Sequence, residues 1–342
     1  MILRLSSRQI QQNMLKLRYS MTLTELFEEY SANRSDLTRK CAANMRQRMQ
    51  KYVLPALGAR DIEGIRVSEI YSLLQEIREK NETARQLINY VGQCYTFAAA
   101  LEYTTRTNPA PALRRLMRLP AIKDHYPALG YQQLSELRVL FQDNDDGKQP
   151  NRSLTVNRQA VLMALYSLLR IGECAALKWA WINQDARTIE IPRERMKMRR
   201  DFRIPVTPQI DALLEYVKTF QESSGIDSEF VFSISGRRPL YAGAPTNLMR
   251  KYFKGRMVIH GIRSMGRTWM AEHGVDFAVA EASLAHVEHN AVVRAYSRTD
   301  YLEQRREVLE QWDEYVNEKL IEGQSDIGCL AENSGTRSVP GA

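Results

Sequence analysis

The chain has 342 residues, 44% of them hydrophobic and 26% charged. That is the balance of a folded globular protein of about two domains, and it excludes a mainly disordered, collagenous or coiled-coil chain. No stretch approaches the roughly 18 consecutive apolar residues of a membrane span, and four scattered cysteines (Cys41, Cys94, Cys174, Cys329) with no CxxC pair argue against both a disulfide framework and a zinc cluster. The N-terminus, MILRLSSRQIQQ, lacks the continuous apolar core of a secretory signal. The net charge is +8, distributed as +8 over residues 1–127, +6 over 128–298 and −6 over 299–342. A basic body with an acidic tail points to a polyanionic partner, nucleic acid foremost. Sparse cysteines fit a reducing, cytoplasmic setting.

Residues 1–20 read as a polar, basic lead-in. Thr22 or Thr24 can cap a helix in which Leu23, Leu26, Phe27 and Tyr30 share one face. Further helices are predicted over about 36–53, from Val67-Ser68 onward, and over about 82–104, where Asn108, Pro109 and Pro111 stop the last. Residues 21–107 thus form a bundle of about four helices. Its first half carries Arg34, Arg39, Lys40, Arg46, Arg48 and Lys51. A solvated surface accounts for these charges, and so does a face that tracks phosphates. Residues 108–130 hold five proline or glycine breaks between Arg114, Arg115, Arg118 and Lys123, which predicts a semi-extended basic linker.

A new helix is predicted from Gly130-Tyr131, and DNDDGKQPNRS reads as a loop. RQAVLMALYSLLR is a strongly apolar helix ending at Arg170. ARTIEIP and DFRIPV flank the basic turn RERMKMRR in a hairpin-like pattern. PQIDALLEYVKTFQESSG is helical, EFVFSIS is a third short strand, and three helical segments fill about 245–322. The second domain, 131–322, is therefore largely helical with a small sheet, followed by a tail at 323–342 expected to be disordered.

Several residues carry chemistry, each weakly alone. Arg170 closes an apolar helix and Glu173 follows three residues on; such a pair is usually a cap or an ion pair. Lys197 lies in a run of cations with Arg195, Arg199 and Arg200. His260 and Arg263 are spaced i, i+3 on one helix face. His286 precedes Tyr296 by ten residues, and a single tyrosine on a helix is ordinarily packing.

Taken in order, Arg170, Lys197, His260-x-x-Arg263, His286 and Tyr296 resemble the catalytic set of the tyrosine recombinases, the phage-integrase family. The phrases that carry the resemblance are LLRIGECAALKW, IEIPRERMKMRRDFRIPV, HGIRSMGRTWMAEHG, LAHVEHNAVVRAYSR and DYLEQRREVLEQWDEYV. The look is closest to integrases of satellite phages and genomic islands. Those carry a further N-terminal arm-binding domain, for which the 20 residues before the first helix leave no room. The resemblance implies a mainly α fold with a small β-sheet, in which a SAM-like core-binding bundle and a catalytic domain clamp duplex DNA.

The resemblance also implies the chemistry. Arg170 and Arg263 bind the non-bridging oxygens of the scissile phosphate, where a planar guanidinium can grip two oxygens at once. Tyr296 attacks through its phenolate to give a 3′-phosphotyrosine, with His260 assisting deprotonation. Lys197 protonates the leaving 5′-oxygen, His286 bonds the phosphate, and Glu173 supports Arg170 or a histidine. Neither cofactor nor metal is required. Four protomers exchange strands on two sites through a four-way junction in the bacterial nucleoid, with accessory bending proteins left open. A topoisomerase IB-like relaxing enzyme and a non-cleaving DNA-binding regulator are the alternatives. The sequence departs from the family at Leu168 and Ala285, where glycine is common. Tyr301 is a rival nucleophile, and His125, His273 and His289 match no role. The acidic C-terminal helix looks suited to docking on a neighbouring subunit or to capping its own domain.

Overall fold

The computed structural model describes residues 21–120, 126–142, 151–196, 199–286 and 299–321. The chain divides into two compact units, 1–123 and 124–342.

Among the described residues the elements of the first unit are helices: α1 (Leu23–Ala32), α2 (Arg39–Tyr52), a single turn α3 (Leu54–Leu57), α4 (Val67–Gln75), α5 (Asn81–Ala100) and α6 (Ala110–Met117). Thr22 caps α1 with a reciprocal capping box: its hydroxyl accepts from the Glu25 amide, and the Glu25 carboxylate accepts from the Thr22 amide at 2.8 Å. Leu23, Leu26, Phe27 and Tyr30 are buried, as their spacing predicts. The long α5 supplies the centre of the core through Leu87, Ile88, Val91, Cys94, Tyr95 and Ala98. Helix α6 falls where the prolines suggested extended chain. Pro109 stands at its N-cap and Pro111 in its first turn, where no amide hydrogen is needed for a helical bond, so both prolines start the helix instead of breaking it. Leu113 and Met117 anchor α6 to the core, and Arg118, in the left-handed region, ends it.

The second unit opens with a 3₁₀ helix over Tyr131–Leu140. Its buried residues are Leu134, Leu137 and Leu140, a spacing of three that a 3₁₀ helix stacks in one line. Helix α7 (Arg152–Ser167) is buried at every position from Thr155 to Ser167 and forms the axis of the core. It ends at Leu168, in the left-handed region, so Arg170 does not close α7 but stands at the N-cap of the short α8 (Ile171–Cys174). Strands β1 (Ile182–Asn183), β2 (Thr188–Ile191) and β3 (Phe202–Pro205) form an antiparallel sheet in the order β1-β2-β3, with Ile189 opposite Ile204. The segment EFVFSIS does not join it. Its main chain bonds elsewhere: the Val231 amide donates to the Leu177 carbonyl, and the Gln221 side chain donates to the carbonyls of Phe230 and Val231. Helices α9 (Pro208–Ser223), α10 (Gly243–Phe253), α11 (Gly261–Glu272), α12 (Phe277–Ser283) and α13 (Leu302–Ile321) complete the unit.

Helix α13 packs on its own unit. Leu309, Trp312, Val316 and Leu320 are buried against α7, α9, α12, β3 and the 3₁₀ helix. The Trp312 indole donates to the Leu165 carbonyl at 2.8 Å, and its ring meets Trp269 edge-on. Arg305 is 1% exposed, lies 4.5 Å from the Phe202 ring centre and donates to the Arg203 carbonyl, so it staples the start of α13 to β3. Apolar positions facing one domain explain the cis arrangement: the acidic side chains other than Asp313 lie away from the packed stripe. Among the described residues no helix is long and apolar enough to cross a membrane.

Asp313 is a costly residue on this face. It is buried, accepts from the Thr207 hydroxyl, has no cationic partner among the described residues, and its second oxygen finds no hydrogen bond among them. Burial pushes its pKa well above the carboxylate range. A carboxyl held protonated in the fold stabilises it fully only below the unfolded pKa near 4, and that contribution is lost as pH rises. Asp313→Asn should therefore raise the melting temperature by a few °C at pH 7.5 (~2–4 °C per kcal/mol for a unit of this size). The gain should vanish near pH 4, as measured by thermal melts across that range.

Candidate active site

Arg263, one turn into α11, is the centre of the site. It is 4% exposed, and its guanidinium donates to two main-chain carbonyls, Leu168 at the end of α7 and Leu284 at the end of α12. Its Nη2 also lies 3.2 Å from His286 Nε2. Burial, with the positive charge of Arg170 second, pushes the Arg263 pKa down to about 10, so it stays charged at neutral pH. Arg170 and Arg263 thus come together from α8 and α11, 93 residues apart in the chain. Arg170 is held by Glu173: its amide donates to Glu173 Oε2 at 3.0 Å and its Nη1 to Oε1 at 3.1 Å. Glu173 is itself 6% exposed and carries the N-cap of α8 as well as the ion pair.

His260 stands at the N-cap of α11, three residues before Arg263, with the Tyr126 ring edge-on at 4.5 Å. His286 follows α12. Its Nδ1 is 2.8 Å from Glu281 Oε2, and its amide donates to the Glu281 carbonyl. The other Glu281 oxygen accepts from Arg267 Nε at 2.8 Å. Burial, and then the charges of Arg263 and Arg170, hold the His286 pKa below its ordinary value, with Glu281 opposing them. The hydrogen bonds from Arg267 and His286 outweigh burial at Glu281 and keep its carboxyl below the usual range.

The structure therefore places Arg170, Glu173, His260, Arg263 and His286 around the junction of α7, α8, α11 and α12. Lys197 and Tyr296 lie outside the described residues. Sequence reasoning missed Glu281 and Arg267, because no helical period links Glu281 to a histidine five residues on, beyond the helix end. His273 stacks on Trp269 with its Nδ1 on the Trp269 carbonyl, away from this site.

The basic residues separate into two kinds. Arg34 pairs with Asp36 and Arg46 with Glu28. Arg39, Lys40, Lys51, Arg115, Arg195, Arg199 and Arg200 are exposed and Arg48 is half-buried, while Lys123 lies outside the described residues. Arg85, not singled out in the sequence, joins Arg114 and Arg118 around a cleft of about 220 Å³ between α5 and α6, floored by Ile88 and Leu119. Arg114 donates to Asn89 at 2.6 Å, and among the described residues no carboxylate pairs with any of the three.

Two family models match the chain: "Phage integrase family" over residues 135–303 and "Phage integrase central domain" over 23–115. Prophage integrase IntZ of Escherichia coli K12 is 31% identical over 290 residues, covering 82% of this chain and 67% of that protein. Prophage integrase IntA of the same strain is 28% identical over 293 residues, covering 84% and 68%. Among solved structures, a lambda integrase dimer bound to a COC′ core site shares the fold at a TM-score of 0.59 and 19% identity, over 82% of this chain and 96% of that one. The Tn1549 transposon integrase in complex with circular intermediate DNA does so at 0.61 and 16%, over 82% and 96%.

Leu168 and Ala285 both sit at positive φ, +54° and +49°, where a Cβ costs about 1–2 kcal/mol. Each adjoins or forms one side of the Arg263 cradle. A Cβ on Gly266 of α11 would lie 2.6 Å from Leu168 Cδ2, so the Leu168 side chain occupies the space that Gly266 leaves. Ala285→Gly should stabilise the fold by about 1 kcal/mol, whereas Leu168→Gly should destabilise it by opening a cavity. Gly266→Ala should be costly alone and tolerated in the Leu168→Gly background, a coupling of about 1 kcal/mol or more in a denaturation double-mutant cycle.

Proposed function

The chain belongs to the phage integrase family, the tyrosine-type site-specific recombinases, and from that premise we propose how its own residues cut and rejoin DNA. The observation that carries the reading is the pairing of Arg170 with a buried, carbonyl-held Arg263 beside two histidines. Two guanidiniums fixed before substrate arrives can grip the non-bridging oxygens of one phosphodiester, and they stabilise the charge that grows there in the transition state. The Tyr296 phenolate attacks phosphorus, the bond to the 5′-oxygen breaks, and Lys197 donates the proton that oxygen needs. His260 assists removal of the phenolic proton, and His286 contacts the phosphate. The 3′-phosphotyrosine keeps the bond energy, so a 5′-hydroxyl of another strand can displace the tyrosine without a nucleotide cofactor. Neither metal nor cofactor has a step in this scheme.

The first unit acts as the core-binding domain and the second as the catalytic domain. The working assembly is four protomers on two sites, a reading supported by fold similarity to a lambda integrase tetramer bound to a Holliday junction (TM-score 0.60, 18% identity). The partner is duplex DNA bearing a specific recombination site, in the cytoplasm of a bacterial host. Arg85, Arg114 and Arg118, which share one cleft and pair with no carboxylate among the described residues, are phosphate contacts in the first unit, alongside the exposed Arg39, Lys40, Lys51 and Arg115; Arg34 and Arg46 are tied up in ion pairs.

Two outcomes test this reading. Tyr296→Phe should bind a nicked suicide substrate as tightly as the parent yet form no covalent adduct on a denaturing gel; adduct formation by the variant would falsify the nucleophile. Replacing Arg85, Arg114 or Arg118 by Gln should weaken binding on every duplex sequence and reduce the log K against log salt slope by about one each. The same change at Arg34 or Arg46 should leave the slope unaltered.

A further inference from the structure

We propose that Glu281 is a positioning residue that fixes the tautomer of His286 and balances the positive charge His286 acquires when a DNA phosphate enters the site. The inference rests on the reading of His286 as a phosphate contact and adds a residue and a proton to it.

The ring assignment follows from its two neighbours. A guanidinium has donors only, so His286 Nε2, 3.2 Å from Arg263 Nη2, must present its lone pair. In the neutral ring the hydrogen then sits on Nδ1, which donates to Glu281 Oε2 at 2.8 Å. Glu281 does not wander, because Arg267 holds its other oxygen and the Arg267 guanidinium in turn lies 5.2 Å from the Phe277 ring centre. The Glu281 carbonyl also accepts the His286 amide, so one residue grips both the main chain and the ring of the next loop.

This arrangement leaves the substrate-free ring unable to donate from Nε2. A hydrogen bond from Nε2 to a phosphate oxygen requires that Nε2 gain a proton. The groups facing the ring are Arg263 and Arg267 from α11, Arg170 from the start of α8 and Glu281 from α12, while Glu173 is committed to Arg170. Arg263 and Arg170 oppose charging of the ring, and Glu281, whose other oxygen is held by Arg267, favours it. An incoming phosphate offsets the guanidiniums, Nε2 takes a proton from solvent, and the imidazolium lies between the phosphate and Glu281. Nδ1 keeps its hydrogen throughout, so the ring need not flip. Without the Glu281 charge the same protonation requires a lower pH.

The experiment uses the full chain and a nicked duplex carrying its recombination site, with single-turnover adduct formation followed from pH 5.5 to 8.5. Glu281→Gln is isosteric and keeps an acceptor for Nδ1. The expected variant profile has its high-pH fall displaced downward by about one unit, so the deficit is roughly tenfold at pH 8 and within about twofold at pH 6. DNA affinity at pH 6 should be unchanged within about twofold, and Glu281→Asp should restore part of the high-pH rate. A deficit equal at every pH, or none, overturns the proposal. Independently of activity, long-range ¹H–¹⁵N spectra of the histidine-labelled parent without DNA should show His286 as the Nδ1–H tautomer, its signal assigned by loss in His286→Gln. An Nε2–H ring there overturns the proposal whether or not adduct forms. Parent protein that forms no adduct at any pH refutes the recombinase reading instead, and the tautomer still decides the role of Glu281.

Discussion

The second unit is organised around one buried cation. A guanidinium 4% exposed would be expensive to desolvate unless its donors were met. Arg263 meets this cost in part, with Nη1 and Nη2 on the carbonyls that end α7 and α12, two groups every helix terminus leaves unsatisfied, while its buried Nε has no partner among the described residues. The same two bonds therefore close two helix ends and fix the cation. Because Leu168 and Leu284 lie 116 residues apart, Arg263 also ties the front of the unit to its rear. The geometry of this residue is thus inseparable from the packing of α7, α11 and α12.

This cradle explains the two departures from the family pattern. A carbonyl that turns back toward Arg263 requires the chain to leave the helix through the left-handed region, where glycine is the residue of least strain. Here Leu168 and Ala285 adopt that conformation. Leu168 gains packing in return, since its side chain fills the space over Gly266. The missing glycine of α7 and the glycine present in α11 are two sides of one contact.

The C-terminal helix adds a second constraint. Arg305 reaches the carbonyl of Arg203, and the Arg203 side chain pairs with Asp300 at 2.8 Å. The start of α13 is therefore joined to β3, the strand that leads out of the basic turn. Surface ion pairs such as Arg203–Asp300 contribute little stability; the buried Arg305, Trp312 and Val316 do the holding. An acidic helix can belong to a DNA-acting domain because its charge faces solvent while its apolar stripe meets the core.

Local signals in the sequence were enough for the helices with clear periodicity, such as α1, where Thr22 of the two candidate caps is the one used, and α9. They were also enough for the β2–β3 hairpin and for the ordered set of Arg170, His260, Arg263 and His286, since side-chain type and order survive any rearrangement of the backbone. They misjudged α6, because a proline reads as a breaker until its place in the first turn is known, and EFVFSIS, because β-propensity cannot tell whether an edge is free to pair. What the amino-acid order determined by itself was the family, the mainly helical fold and the kinds of group available for chemistry. Only tertiary structure decided that α13 docks on its own unit, that Arg34 and Arg46 are paired with carboxylates while Arg85 meets none among the described residues, and that Glu281 holds His286. Each of those depends on which side chains actually meet, whether five residues apart as Glu281 and His286 or far apart as α13 and α7, and such a meeting is set by packing in three dimensions, which no periodic pattern encodes.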